Sequence, residues 1–243
     1  MELNNNSFPK KQKAIPPAGI TLGVCYSIID LGTQTEQFPG KPPMQIRKLH
    51  FSFELPSLPQ VIFDEKKGPQ PQALFHEYTA SLDEKANLAK VLLSWGQMKQ
   101  EQLKAVNSAT FAGFIKMFLG QACMINVAHN VAKTATDETT GQKLVYANIG
   151  QGGLSIMPRM EAIPKPTGTI NPAKFLDLDA FDWSTYNSLP KFLQEKIAKS
   201  KEWASVLVKY PKPIETGTTM QSQANMMEQG NGISQPVAGT PQF

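Results

Sequence analysis

"QIRKLHFSFEL", residues 45–55, alternates. Arg47, Leu49, Phe51, Phe53 and Leu55 fall on one parity, and Ile46, Lys48, His50, Ser52 and Glu54 on the other. Successive side chains of a strand point to opposite faces, so the pattern predicts a half-buried β-strand with one face in a core. The other face carries a lysine, a histidine and a hydroxyl. What that face touches, water or something with phosphates, sets the direction of the functional reading.

Upstream, "ITLGVCYSIIDLG" places Ile20, Leu22, Val24, Tyr26 and Ile28 on one parity and predicts a first strand of about ten residues. A loop rich in Gly, Pro, Thr and Gln, residues 32–43, joins it to the second. Downstream, a proline-rich loop with a short apolar "VIF" leads to "LFHEYTAS", a third strand. Ser81 and Glu84 have the spacing of a capping box ahead of a helix with Leu88, Ala89, Leu92, Leu93 and Trp95 on one side and Gly96 at its end. A second helix carries Phe111, Phe114, Ile115 and Phe118 and stops at Gly120. "ACMINVAHN", with Cys123, Ile125 and Val127 inward, is a fourth strand, and after the polar loop "VAKTATDETTGQK" the stretch "LVYANIG" is a fifth.

The order is strand, strand, strand, helix, strand, strand. A mostly β chain with helices in this order predicts a five-stranded OB-like barrel with a helical insertion between strands three and four. On this reading residues 1–17 form a mobile basic arm with Lys10, Lys11 and Lys13, and residues 18–160 form the barrel domain. Residues 161–210 form a linker and helical extension, in which Ser188 caps a helix lined by Leu189, Leu193 and Ile197. Residues 211–243 lack apolar periodicity and read as a disordered tail.

The 243-residue chain has a formal net charge of +4. The excess lies in residues 1–160, with 16 Lys+Arg against 12 Asp+Glu; residues 161–243 hold eight of each. A modest basic surplus on the barrel is compatible with a polyanionic partner. Only Arg47 and Arg159 are arginines, so bidentate reading of guanine edges is not the expected mode. Cys25 and Cys123 each sit in an apolar run and read as buried thiols, not as a disulfide framework. The first residues lack the apolar segment of a signal peptide, and no stretch has the length of a transmembrane helix, which together point to an intracellular protein.

Catalytic patterns are absent. "GQGGLS" lacks the lysine of a phosphate-binding loop. The run Asp177, Asp179, Asp182 would place Asp182 and Ser188 where a calcium loop needs Gly and Glu, so it reads as the approach to a helix. His50, His76 and His129 lack the spacing of a helical metal site. No enzyme activity, cofactor or metal is expected. What remains is cationic and aromatic residues on strands, the composition that single-strand binders use. The candidate contacts are Lys48 and His50 on strand two, His76 and Tyr78 on strand three, and Tyr146 on strand five. Lys133 and Lys143 flank the loop before strand five, and Phe38 and Lys41 stand on the loop between strands one and two.

"CYSIIDLGTQ", "YTASLDEKANLAKVLLSW", "YANI" and "LPKFLQEKIAKSKEW" resemble blocks of a family of phage-encoded OB-fold single-stranded-DNA-binding proteins found among replication and recombination genes. The resemblance spans residues 18 to about 205. It implies a non-catalytic protein that binds single-stranded DNA in the cytoplasm of an infected bacterium, beside phage or host replication and recombination proteins and away from membranes. The tail departs from the strongly acidic C-termini of such proteins, since residues 211–243 hold only Glu215 and Glu228 before Phe243. The alternative is a phage structural or assembly protein that uses the barrel as an interaction module.

Overall fold

The computed structural model describes residues 13–63, 65–66, 68–155 and 169–213. The described residues through Pro211 form one compact unit. Lys10, Lys11, Arg159, the residues 161–168 of the expected linker and the tail beyond residue 213 lie outside the described residues.

Strand β1, Gly19–Glu36, has 18 residues, well beyond the ten that its alternation predicts. Two irregularities account for the difference. The register against β2, Met44–Glu54, shifts between Cys25 and Ser27 and again between Asp30 and Gly32. Each shift inserts one extra residue, bends the strand and re-aims its side chains. Tyr26 is therefore an inserted residue rather than part of one continuous apolar parity. Cys25 and Ile28 face one core, while Ile29 and Leu31 face another on the opposite side of the sheet. Gly32 sits in the second irregularity at φ +68, where a Cβ would lie 2.6 Å from the Ser200 Cβ. Only glycine meets both the backbone angle and the close approach.

β3 (Ala73–Thr79) pairs antiparallel with β2, β4 (Ala122–Thr136) with β1, and β5 (Lys143–Ser155) with β4. β4 and β5 run farther than read, because most of the expected polar loop is strand and only a tight turn at Asp137–Gln142 remains. The Asp137 carboxylate accepts the amides of Thr139 and Thr140 there. The order β3-β2-β1-β4-β5 makes an antiparallel sheet, to which β6 (Lys174–Leu176) adds in parallel against Ser27–Ile29 of β1. β6 is not legible in the sequence, as its three residues follow a stretch that reads as linker. The sheet is not closed. β3 and β5 lie side by side along its open edges with no ladder between them.

Three helices connect β3 to β4: α1 (Asn87–Gly96), α2 (Gln100–Lys104) and α3 (Ser108–Lys116). The expected capping box does not form. Ser81 Oγ accepts the amide of Asp83 at 3.2 Å, and the Asp83 carboxylate accepts that of Lys85 at 3.0 Å. These local turns compete with helix formation, so α1 starts only at Asn87. Its apolar side is as read: Leu88, Ala89, Leu92 and Trp95 are buried, and Trp95 Nε1 donates to the Ala122 carbonyl at 2.8 Å.

The first core lies on one side of the sheet and holds Leu49, Phe51, Phe53, Leu74, Tyr78, Ile125, Leu154 and the helical residues Leu92, Trp95 and Ile115. Cys25 and Cys123 are buried in it as free thiols whose pKa values burial pushes up, so neither is an activated nucleophile. A second core, built from Leu176, Phe181, Tyr186, Leu189, Leu193 and Ile197, sits on the other face against Ile29 and Leu31. Its helices are α4 (Trp183–Asn187), α5 (Lys191–Ala198) and α6 (Trp203–Lys209). Ser188 is not the N-cap of α5. Its amide and hydroxyl bond back to carbonyls of α4, and α5 begins after Pro190. Asp182 is the N-cap of α4, accepting the amides of Ser184 and Thr185.

Candidate nucleic-acid interface

At His50 and Glu54 the outer face of β2 meets residues 169–211 instead of water. His50 is 2% exposed, with Ser52 and Glu54 buried beside it. Its ring stacks on Phe75 at 5.1 Å and meets the edge of Phe192 from α5 at 6.3 Å. Glu54 accepts the amides of Ile170 and Asn171 and the Asn171 side chain, at 2.9, 2.9 and 2.6 Å. Glu77 on β3 binds Lys196 of α5 at 2.6 Å and lies 3.8 Å from His50 Nδ1. His50 and Lys196 together hold the Glu77 carboxyl at about 2, well below the usual carboxylate range. At the far end Glu202 accepts the amide and hydroxyl of Thr33. Arg47, His50 and Glu54 of the opening stretch are therefore attachment points for residues 169–211, and His50 does not face an outside ligand.

The other candidate residues divide among five places, the last of them the β3–β5 seam. Lys48 forms an ion pair with Glu36 at 3.3 Å. Tyr78 is 3% exposed and packs edge-on against Phe51, so it is a core residue rather than a platform. Phe38 and Lys41 are exposed on a turn closed by the Lys41 amide on the Phe38 carbonyl, and they line none of the seam cavities described next. Lys133 and Lys143 meet at the β4–β5 hairpin, where Lys143 Nζ donates to the Lys133 carbonyl at 2.8 Å.

His76 and Tyr146 line separate cavities along the open β3–β5 seam, each beside residues that the sequence pattern does not single out. One cavity of about 690 Å³ lies between Phe75 of β3 and Tyr146 and Asn148 of β5, with Lys13, Ile15, Pro16 and Phe63 as further walls. Phe75 is 59% exposed and Tyr146 47%. A second cavity of about 470 Å³ continues along the same two strands past His76, Tyr78, Ile149 and Gly150 to Asn87 and Lys90 of α1. No carboxylate lines either cavity, and their charged groups are Lys13 and Lys90. The next hollow, bounded by Lys48, Lys85, Glu77 and Asp83, mixes both signs. Gly150 keeps the wall thin, since a Cβ there would lie 2.8 Å from the Ala128 Cβ.

Pro16 fixes the chain that walls the seam, its carbonyl 2.7 Å from His129 Nε2. His76 sits half-buried against Tyr78, with ring centroids 4.5 Å apart. Burial lowers its pKa, opposed by Glu77 and assisted by Lys48 and His50, so the imidazole is neutral near pH 7. Phe75 has a signal in the sequence: it takes the parity opposite Leu74 and Tyr78, which both point inward. Lys13 and Lys90 carry none, because their placement depends on how an N-terminal segment and a helix pack against β5.

Among the described residues, no group of three or more His, Cys, Asp or Glu stands together to hold a metal, and no helix is long and apolar enough to cross a membrane. Comparison with family models, curated proteins and solved structures finds no match to this chain.

Proposed function

We propose that the protein binds single-stranded DNA without catalysis, in the β3–β5 seam. The carrying observation is that groove: two successive cavities between the same strands, free of carboxylates, lined by lysines and by half-exposed aromatic rings. A single strand presents phosphates and unstacked bases together, and a cationic groove with ring platforms answers both. Duplex DNA offers its bases only as edges inside grooves, which these flat rings do not read. The strand order, the helices between β3 and β4 and the closeness of β3 to β5 support reading the sheet as an OB-type barrel that is open at this seam. A role in phage replication or recombination, in the cytoplasm of an infected bacterium, follows from the resemblance of the sequence blocks.

Fluorescence anisotropy with an unstructured oligothymidine, its duplex and a single-stranded RNA tests the reading. Binding of the single strand well above the duplex is the expected result, and the RNA arm reports which sugar is preferred. Absence of single-strand binding at low salt sinks the proposal and leaves the barrel as a protein-interaction module.

A further inference from the structure

Phe192 makes one ring contact, with the edge of His50, and leaves much of its own surface to solvent. Its neighbours Leu193 and Leu189 fill the second core, while its own ring stands on α5 at 53% exposure. A single exposed phenyl is ordinary. Here, however, it shares a support with a second one. Phe75, 59% exposed, stacks on His50, and the edge of the same imidazole meets Phe192. The imidazole is 2% exposed, and its Nδ1 has no hydrogen-bond partner. Two ring contacts, with the Glu77 carboxylate 3.8 Å from Nδ1, thus hold a buried imidazole between two solvent-facing phenyls. Phe75 is at the same time a wall of the larger seam cavity, opposite Tyr146. Exposed rings therefore follow one another from Tyr146 to Phe75 across the cavity and, on the far side of the buried His50, to Phe192.

Charge along this path suits the same ligand. Glu77 is the one carboxylate of β3, and Lys196 of α5 neutralises it at 2.6 Å. Lys191, next to Phe192, has a side chain 89% exposed, paired at 3.8 Å with Glu195 across one turn of α5, a contact that solvent screens.

We infer that Phe192 is a stacking platform for a base of the bound single strand, so that the strand leaves the β3–β5 groove over Phe75 and crosses onto the C-terminal helices. This rests on the single-strand reading above and deepens it: sheet and C-terminal helices form one binding surface, and the occupied length exceeds what the groove alone accepts.

Two oligothymidines test this with the full chain, one of about 8 nucleotides that fits within the groove and one of about 24 that overruns it. Phe192→Ala is expected to weaken the long oligonucleotide about 10-fold and leave the short one unchanged, with Phe192→Tyr restoring the affinity. An iodouracil-substituted long strand is expected to crosslink at Phe192 as well as at Phe75 or Tyr146. Unchanged affinity for the long strand in Phe192→Ala overturns the inference, as does an equal loss on both lengths or a variant that only converts a dimer to a monomer. A wild-type protein that binds neither length removes the functional reading itself, a result distinct from these.

Discussion

Acid strength ties two residues to the same strand for different purposes. Glu77 titrates at about 2 in the folded protein against an ordinary 4.5, so its attachment to His50 and Lys196 adds stability above pH 4.5 and loses it as pH falls toward 2. The contribution is about 1–3 kcal/mol. His76 has a folded pKa below the ordinary 6.5 because of burial, so protonation opposes folding. Its share of stability is complete above pH 6.5 and declines below it. Denaturant titrations across pH are therefore expected to show two losses. Glu77→Gln removes the one between 4.5 and 2, and His76→Gln removes the higher one. A single acid transition unaffected by Glu77→Gln contradicts this assignment. Phe51 and Tyr78 are tested by the same titrations. Both lie in the first core at 1% and 3% exposure, so Phe51→Ala and Tyr78→Ala are each expected to cost about 3–5 kcal/mol. A Tyr78→Ala variant that keeps its stability and loses only DNA affinity would return Tyr78 to the surface.

At the scale of elements, alternation identifies each main strand and misses what interrupts it. Residues 45–55 show the inner face of β2 correctly, since Leu49, Phe51, Phe53 and Leu55 are all buried. The other face looks solvent-exposed because its residues are polar, and polarity is a poor guide where a second layer brings its own partners. Glu54 is 2% exposed because backbone amides from Ile170 and Asn171 meet it, a pairing across 116 and 117 residues that no local pattern contains. The irregularities of β1 are hidden for a similar reason: Ile28 serves one core and Ile29 and Leu31 another, a division that alternation along a single strand does not contain. The seam was half legible. His76 and Tyr146 are in it, whereas Lys13 and Lys90 depend on packing between distant segments. Removing the Glu54 carboxylate leaves the amides of Ile170 and Asn171 without their acceptor. Glu54→Leu is expected to destabilise the attachment of residues 169–211 by about 2–4 kcal/mol, seen as faster hydrogen exchange at Ile170, Asn171 and β6 while β4 and β5 keep their protection. Uniform loss of protection across the sheet contradicts a separable attachment.

The whole molecule has one sheet with two assignments. One side and three helices make the main core, the other face carries the C-terminal helices, and the open edge between β3 and β5 holds two cavities lined by lysines and rings, the proposed binding site. The affinity of single-stranded DNA as a function of salt, for the wild-type chain and for Lys13→Ala/Lys90→Ala beside Phe75→Ala/Tyr146→Ala, tests this division directly. Each phosphate contact contributes about 0.7 to the log–log slope on a single strand, whereas ring stacking contributes affinity of about 1–3 kcal/mol per base with little salt dependence. The double lysine variant is expected to lower the slope by about 1.4. The double aromatic variant is expected to lose affinity at every salt concentration with the slope unchanged. Wild-type slopes in both variants, at wild-type affinity, would contradict the seam as the binding site.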